Sequence, residues 1–377
     1  MSIGRNPLRE LQKFGQSVWL DDQHREMLHT AALTRLINED GVSGITLNPS
    51  LLRRTFIEDS SYRSAIQLQS ANSSATVAER DVYERIVLED ARVAADAFRH
   101  VYHRSAGREG FVCLEVSPLL ASDTAGTVAE ATRLWRTLDR ANAMISVPAT
   151  RAGLPAIAQL ISAGINVNAT LLFGVGRYRE VLDAFATGLE EHQSAGHAVT
   201  GIASVASLFV SRIDTLVDHE LALLTKPQAS QRARALMGKA GREVARFVYQ
   251  DFKKFVASPR WRALAAYGAV AQRPLWASTG TENTAYSDFK YVDELIGRDT
   301  ITTLPLATLA AYRDHGNPVP SLETPNLYEV ATMPADLFAL GVELDAVSRT
   351  LETEGIARYI ASYNASLAAI SAYRATP

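Results

Sequence analysis

The sequence predicts an α/β chain folded as a (β/α)8 barrel of the TIM type, with extra helices after the second strand and at the C-terminus. Two observations carry this. Short apolar or β-branched runs alternate with longer stretches whose apolar residues recur at three- and four-residue spacing, as in repeated βα units around a parallel sheet. Eight such runs can be counted, and eight is the number that closes a parallel barrel. A doubly wound open sheet is the alternative that the same alternation allows.

The elements follow in order. The first strand run covers 16–20 and ends at Asp21; the second covers 44–47 and ends at the Asn48-Pro49 turn. The stretch 50–110 is too long for one crossover helix, and its patterns at 82–86 and 91–102 suggest two or three helices beside the barrel. A third run, 111–116, carries Glu115, and a helical pattern at 123–139 leads to a fourth, 143–147, which carries Ser146. Amphipathic helices at 153–163 and 177–193 flank a fifth run, 166–172, with Asn168 and Thr170 on it. The sixth (201–210), seventh (274–278) and eighth (300–303) complete the set, bringing Ser207, Phe209 and Ser278 to strand ends. The remainder, 318–377, reads as further helices, notably 337–352 and 356–372. With no internal repeat and no low-complexity linker, 1–377 is expected to form a single domain.

Composition narrows the class. An apolar fraction of 47% is ample for a large core, and no run of 18 apolar residues is present to span a bilayer. The first 16 residues are polar, unlike a signal peptide, and the one cysteine, Cys113, excludes an internal disulfide. A net charge of −3 without long charged blocks gives no support to nucleic acid or a membrane surface as partner. The expectation is a cytoplasmic enzyme acting on a small molecule, with an oligomer possible. Lysine is scarce: Lys13, Lys226, Lys239, Lys253, Lys254 and Lys290 are all there are, so six of the eight strands lie in a stretch with none.

In such a barrel the polar residues at strand C-terminal ends face one mouth. Asp21 and Glu115 are then a pair of carboxyls converging on one pocket, where burial and repulsion raise at least one pKa and suit the pair to proton transfer. The bland reading is that such residues only cap loops. Other patterns carry little. Asp21-Asp22-Gln23-His24 is consecutive, so its side chains diverge too much for a metal site. Gly174-Val175-Gly176 lacks the third glycine of a dinucleotide loop. None of the eight histidines ends a strand run, which leaves Ser146 without a base to make it a nucleophile. Cys113 reads as inert packing.

Written out in order, several segments resemble bacterial transaldolases of the longer type over essentially the full length. They are Gln16-Ser17-Val18-Trp19-Leu20-Asp21, Gly41-Val42-Ser43-Gly44-Ile45-Thr46-Leu47-Asn48-Pro49-Ser50, Leu114-Glu115-Val116-Ser117-Pro118, Gly164-Ile165-Asn166-Val167-Asn168-Ala169-Thr170-Leu171-Leu172-Phe173, Ser204-Val205-Ala206-Ser207-Leu208-Phe209-Val210-Ser211-Arg212-Ile213-Asp214 and Arg273-Pro274-Leu275-Trp276-Ala277-Ser278-Thr279-Gly280-Thr281. The resemblance implies the barrel fold and carbon–carbon bond chemistry on sugar phosphates through a lysine Schiff base, with no metal or organic cofactor. It implies an acid/base role for Asp21, a polar contact from Asn48, a water held by Glu115 and Thr170, and a phosphate gripped by Ser207 and Arg212.

Three positions depart from the pattern. The resemblance puts the Schiff-base lysine at Ser146, a serine at Leu47, and a basic phosphate contact at Glu282. A unit charge about 4 Å from a phosphate is worth roughly 4 kcal/mol at an effective dielectric near 20, and Glu282 reverses its sign. The leading expectation is therefore a diverged family member without Schiff-base catalysis, acting on a sugar-derived or polyhydroxylated carbonyl compound in specialised metabolism. Asp21 and Glu115 would move protons, Thr170 and Asn168 would orient water or substrate, and Arg212 would hold an anion. Ser146 would make room for a different substrate, and Asn48, Ser207, Phe209, Ser278 and Glu282 would line the pocket. Enolisation, cyclisation, dehydration or a non-covalent aldol step are all open to that set. One alternative is dihydroxyacetone transfer between sugar phosphates, using a displaced lysine such as Lys290. The other is a binding protein without catalysis on the same scaffold.

Overall fold

The computed structural model describes residues 6–22, 24–47, 60–71, 78–281, 283–323 and 327–375. Eight strands pair in parallel and close on themselves in chain order. They are β1 (Gln16–Asp21), β2 (Gly44–Leu47), β3 (Phe111–Glu115), β4 (Ala143–Pro148), β5 (Val167–Leu172), β6 (Ser204–Phe209), β7 (Arg273–Ala277) and β8 (Thr300–Leu304). Five residue pairs from Gln16↔Thr300 to Leu20↔Leu304 seal β8 to β1, so the open-sheet alternative falls away.

Because strand side chains alternate in and out, each strand presents every second residue to the barrel axis. Trp19, Phe111, Cys113, Met144, Val205, Leu275, Ala277 and Ile301 form an apolar cluster of their own, separate from the large core between sheet and helices. Gly44 is what lets the Trp19 ring lie flat across the axis: a Cβ there would sit 2.5 Å from the indole. At the N-terminal feet of the strands the filling is polar. Arg273 donates to Glu109 Oε1 at 2.7 Å and to Ser17 Oγ at 2.9 Å, while Ser43 Oγ donates to Glu109 Oε2 at 2.9 Å. Arg273 and these hydroxyls hold the Glu109 carboxyl below the usual carboxylate range against the cost of burial. The opposite, C-terminal layer also holds polar residues and carries the candidate site.

Two helical expectations need correction. The patterns at 82–86 and 91–102 belong to one continuous helix, Glu79–Arg104, packed with Ser60–Ala71 beside the barrel. The C-terminal patterns regroup as Leu327–Ala339 and a single 32-residue helix, Leu344–Ala375, that runs unbroken through Gly355. Glycine weakens a helix by about 1 kcal/mol relative to alanine, and here that cost has a packing reason. A Cβ on Gly355 would stand 3.2 Å from Leu171 and 3.4 Å from Phe173, so the missing side chain lets this helix lie close over the barrel mouth.

Candidate active site

A cavity of about 550 Å³ opens at the C-terminal ends of the strands. Asp21, Phe209, Arg212 and Ser278 line it, four of the residues singled out from the sequence. Two wall positions have left-handed backbone, Leu171 (φ 58°) near the end of β5 and Ser278 (φ 54°) just after β7. Such strain in non-glycine residues clusters at functional sites. At Leu171 it coincides with a register shift between β5 and β6, which turns that side chain into the cavity wall. Phe173 and Phe209 pack against each other there, ring centroids 5.6 Å apart. Ser278 is held by an Oγ–Oγ contact of 2.9 Å with Ser211.

The two carboxyls differ in setting. Asp21 ends β1 and accepts a hydrogen bond from Thr46 Oγ1 at 2.9 Å. Burial pushes its pKa up to about 6; the Thr46 bond pulls the other way, and the neighbouring Asp22 adds to the rise. Glu115 ends β3, on a smaller cavity shared with Tyr83 and Glu130. Burial, reinforced by the Asp21 charge, raises it well above the usual carboxylate range, and interaction with Tyr359 offsets this only in part. Burial thus makes both carboxyls harder to ionise than ordinary ones, and the Asp21 charge adds to the rise at Glu115.

Beside Glu115, in register across β3 and β4, lies Ser146. It is 1% exposed and its Oγ accepts a hydrogen bond from Asn168 Nδ2 at 3.1 Å. Asn168 Oδ1 in turn accepts from Ser207 Oγ at 2.7 Å. Ser146, Asn168 and Ser207 thus form one buried chain across β4, β5 and β6. The Cys113 thiol lies against its Ser146 end, its pKa raised by burial. Thr170 is buried on the same strand as Asn168. Asn48 and Glu282 lie outside the described residues.

Lys290 sits elsewhere. Its Nζ lies 3.1 Å from Asp214 Oδ2 and 3.1 Å from Glu294 Oε2, over the rings of Tyr286 and Tyr291. No lysine lines the mouth cavity among the described residues. No group of three His, Cys, Asp or Glu among them could hold a metal ion.

Sequence reasoning missed the contribution of the C-terminal helix. Leu351, Glu354, Arg358 and Tyr359 reach the cavity from it, one turn apart along one face. The spacing Glu354-Arg358-Tyr359 was visible in the sequence, but nothing local said that this helix crosses the mouth.

Comparison with known proteins decides the family. A family model described as Transaldolase/Fructose-6-phosphate aldolase matches residues 18–370. The chain belongs to this transaldolase family. It is 44% identical over 365 residues to a transaldolase of Thiobacillus denitrificans, covering 97% of this chain and 99% of that one. It is 42% identical over 366 residues to a transaldolase of Frankia alni, covering 97% of each. With transaldolase 1 of Streptomyces coelicolor the figure is 43% over 364 residues, covering 97% and 94%. These transaldolases weigh toward the alternative expectation, an enzyme of the transaldolase kind, rather than toward a diverged activity, and lend nothing to a role in specialised metabolism. No helix among the described residues is long and apolar enough to cross a membrane.

Proposed function

We propose that this chain carries out aldol-type cleavage and transfer on an open-chain ketose phosphate or a close analogue, with Asp21 as base and Glu115 as acid. The observation that carries it is a pair of buried carboxyls at the strand ends of one barrel mouth, Asp21 raised to about 6 and Glu115 raised by burial and by the Asp21 charge. Environments that push two pKa values apart assign the roles of base and acid. The ionised Asp21 takes the proton of the hydroxyl next to the scissile carbon–carbon bond. That bond breaks, an aldehyde leaves, and the electron pair passes into an enediolate. The protonated Glu115 donates to the developing oxyanion. Transfer is the reverse addition to a second aldehyde. Arg212, on the cavity wall, suits the substrate's phosphate because its planar fork binds an anion through two parallel hydrogen bonds.

On the sequence resemblance Ser146 would stand where the family has its Schiff-base lysine, and a hydroxyl cannot form an iminium. The reading therefore puts the electron sink on hydrogen bonding from Glu115. A second reading, dihydroxyacetone transfer through an iminium on another lysine, draws on the names of the relatives. Lys290, with two carboxylates on its ammonium, is poorly prepared for attack.

Incubation with fructose 6-phosphate and an aldose phosphate acceptor, with and without borohydride, separates the readings. Turnover without a trapped adduct supports the acid/base route. A sugar adduct on any lysine, located by mass spectrometry, replaces it with the iminium route. Tight binding with no turnover across a panel of ketose phosphates overturns both in favour of a binding protein.

A further inference from the structure

The opposite end of the barrel holds a second cavity, of about 640 Å³, bounded by the residues that lead into β1, β2, β3 and β8. Arg9, Arg104, Arg108 and Arg298 line it together with two carboxylates, Glu109 and Asp299. Both carboxylates are spoken for. Glu109 is neutralised by Arg273 from behind, and Asp299 pairs with Arg108. Arg9 is fixed but not neutralised, since its guanidinium donates to the carbonyl oxygens of Asn38 and Glu39. Among the described residues the guanidinium groups of Arg104 and Arg298 make no hydrogen bond or ion pair. Arg9 and Arg104 therefore face the concavity with no carboxylate partner among the described residues, while Arg298 shares its charge with Glu323, which accepts from its backbone N–H at 3.3 Å, on a chain whose net charge is −3. The positive charge is a local concentration, not a general property of the surface.

We infer that this N-terminal-face cavity binds a small polyanion of the diphosphate or phosphorylated-metabolite class. Its volume is in the range of small-molecule sites, and guanidinium forks match phosphate oxygens in geometry as well as charge. Two linked phosphates can engage more than one of these guanidinium groups at once, which a single monoanion does less well. Chemistry in such barrels is confined to the other face, so the ligand is an effector or a stabiliser, not a second substrate. The inference is independent of the reaction proposed above.

Isothermal titration of the full chain with inorganic pyrophosphate tests it without any need for turnover. The expected result is saturable binding that weakens steeply with added salt. It should weaken about tenfold or more in the double variant Arg104→Ala/Arg298→Ala, as loss of charge-assisted contacts requires. Because Arg212 is proposed to hold phosphate at the other face, the comparison is also made in an Arg212→Gln background, where the binding that remains should be the one that the double variant weakens. Both arginines are exposed, and a circular dichroism melt checks that the double variant is folded. Absence of saturable binding in the Arg212→Gln background, or binding there that the double variant leaves undiminished, overturns the inference.

Discussion

Asp21→Asn should make the protein more stable at neutral pH, and by an amount that grows with pH. Asp21 is raised from 3.8 to about 6 in the folded chain, chiefly by burial. Between those two values the folded state holds a proton that the unfolded state has released. Stability therefore falls as pH rises through this window, and the penalty is complete above the folded pKa. A difference of about 2 pKa units corresponds to about 3 kcal/mol at pH 7–8 and about half of that at pH 5. Asparagine keeps an acceptor for Thr46 Oγ1 and cannot ionise, so it removes the penalty without removing the bond. Water in the adjoining cavity screens part of the effect, and about 2 kcal/mol is a realistic gain at neutral pH. Melting temperatures of both proteins, taken from pH 5 to pH 8, give the measurement. The gap should widen by a few degrees across the series. A gap that is constant with pH, or a variant less stable at pH 8, would refute the claim that the fold holds Asp21 in an unfavourable ionised state. The acid would then be a stabilising cap and not a strained functional group.

Other outcomes follow from the same geometry. Activity should rise with pH through about 6 as Asp21 ionises and fall at higher pH as Glu115 loses its proton. Tyr359→Phe removes the interaction that favours ionised Glu115, so the alkaline limb of the profile should move to higher pH while the acid limb stays. Lys290→Met strips the ammonium from Asp214, which is 1% exposed. A cost of about 3–5 kcal/mol is expected, and chemical denaturation should show much of it recovered by adding Asp214→Asn. Arg212→Gln should weaken binding of a sugar phosphate by about 10- to 100-fold, the worth of a charge-assisted hydrogen bond. The unphosphorylated sugar, titrated in parallel, should be unaffected.

The barrel was legible in the sequence because the strand runs are short and largely apolar and several end in polar residues, and that signal is local. Asp21 and Glu115 could be placed on one face from period-two alternation alone, as could Ser146, Asn168 and Ser207. Less accessible was how these polar residues divide. Phe209, Arg212 and Ser278 line the large cavity with Asp21, whereas Ser146, Asn168 and Ser207 bond to one another below it. That division depends on side-chain hydrogen bonds between strands about 20 to 40 residues apart, for which a single sequence has no local signature. The helix Leu344–Ala375 was misread for a related reason. Gly355 reads as a break until its neighbours Leu171 and Phe173 are known.

Ser146→Lys tests whether the rest of the mouth still presents a ketone to β4. The serine is not a vacancy in the bonding of the barrel: Asn168 donates to it, and Ser207 donates to Asn168. An ammonium placed there would leave Asn168 Nδ2 without its acceptor. It would also introduce a charge between Glu115, its neighbour in register, and Asp21, whose field reaches Glu115. Burial alone would lower the lysine pKa and the carboxyls would raise it, while the new cation would draw Asp21 down from about 6. The variant should therefore show an acid limb shifted to lower pH. With a ketose phosphate and borohydride it should also give a mass adduct on residue 146. A folded variant that gives the shift without the adduct would mean that the substrate carbonyl no longer lies over β4. The reaction proposed for Asp21 and Glu115 would then need a different bound pose.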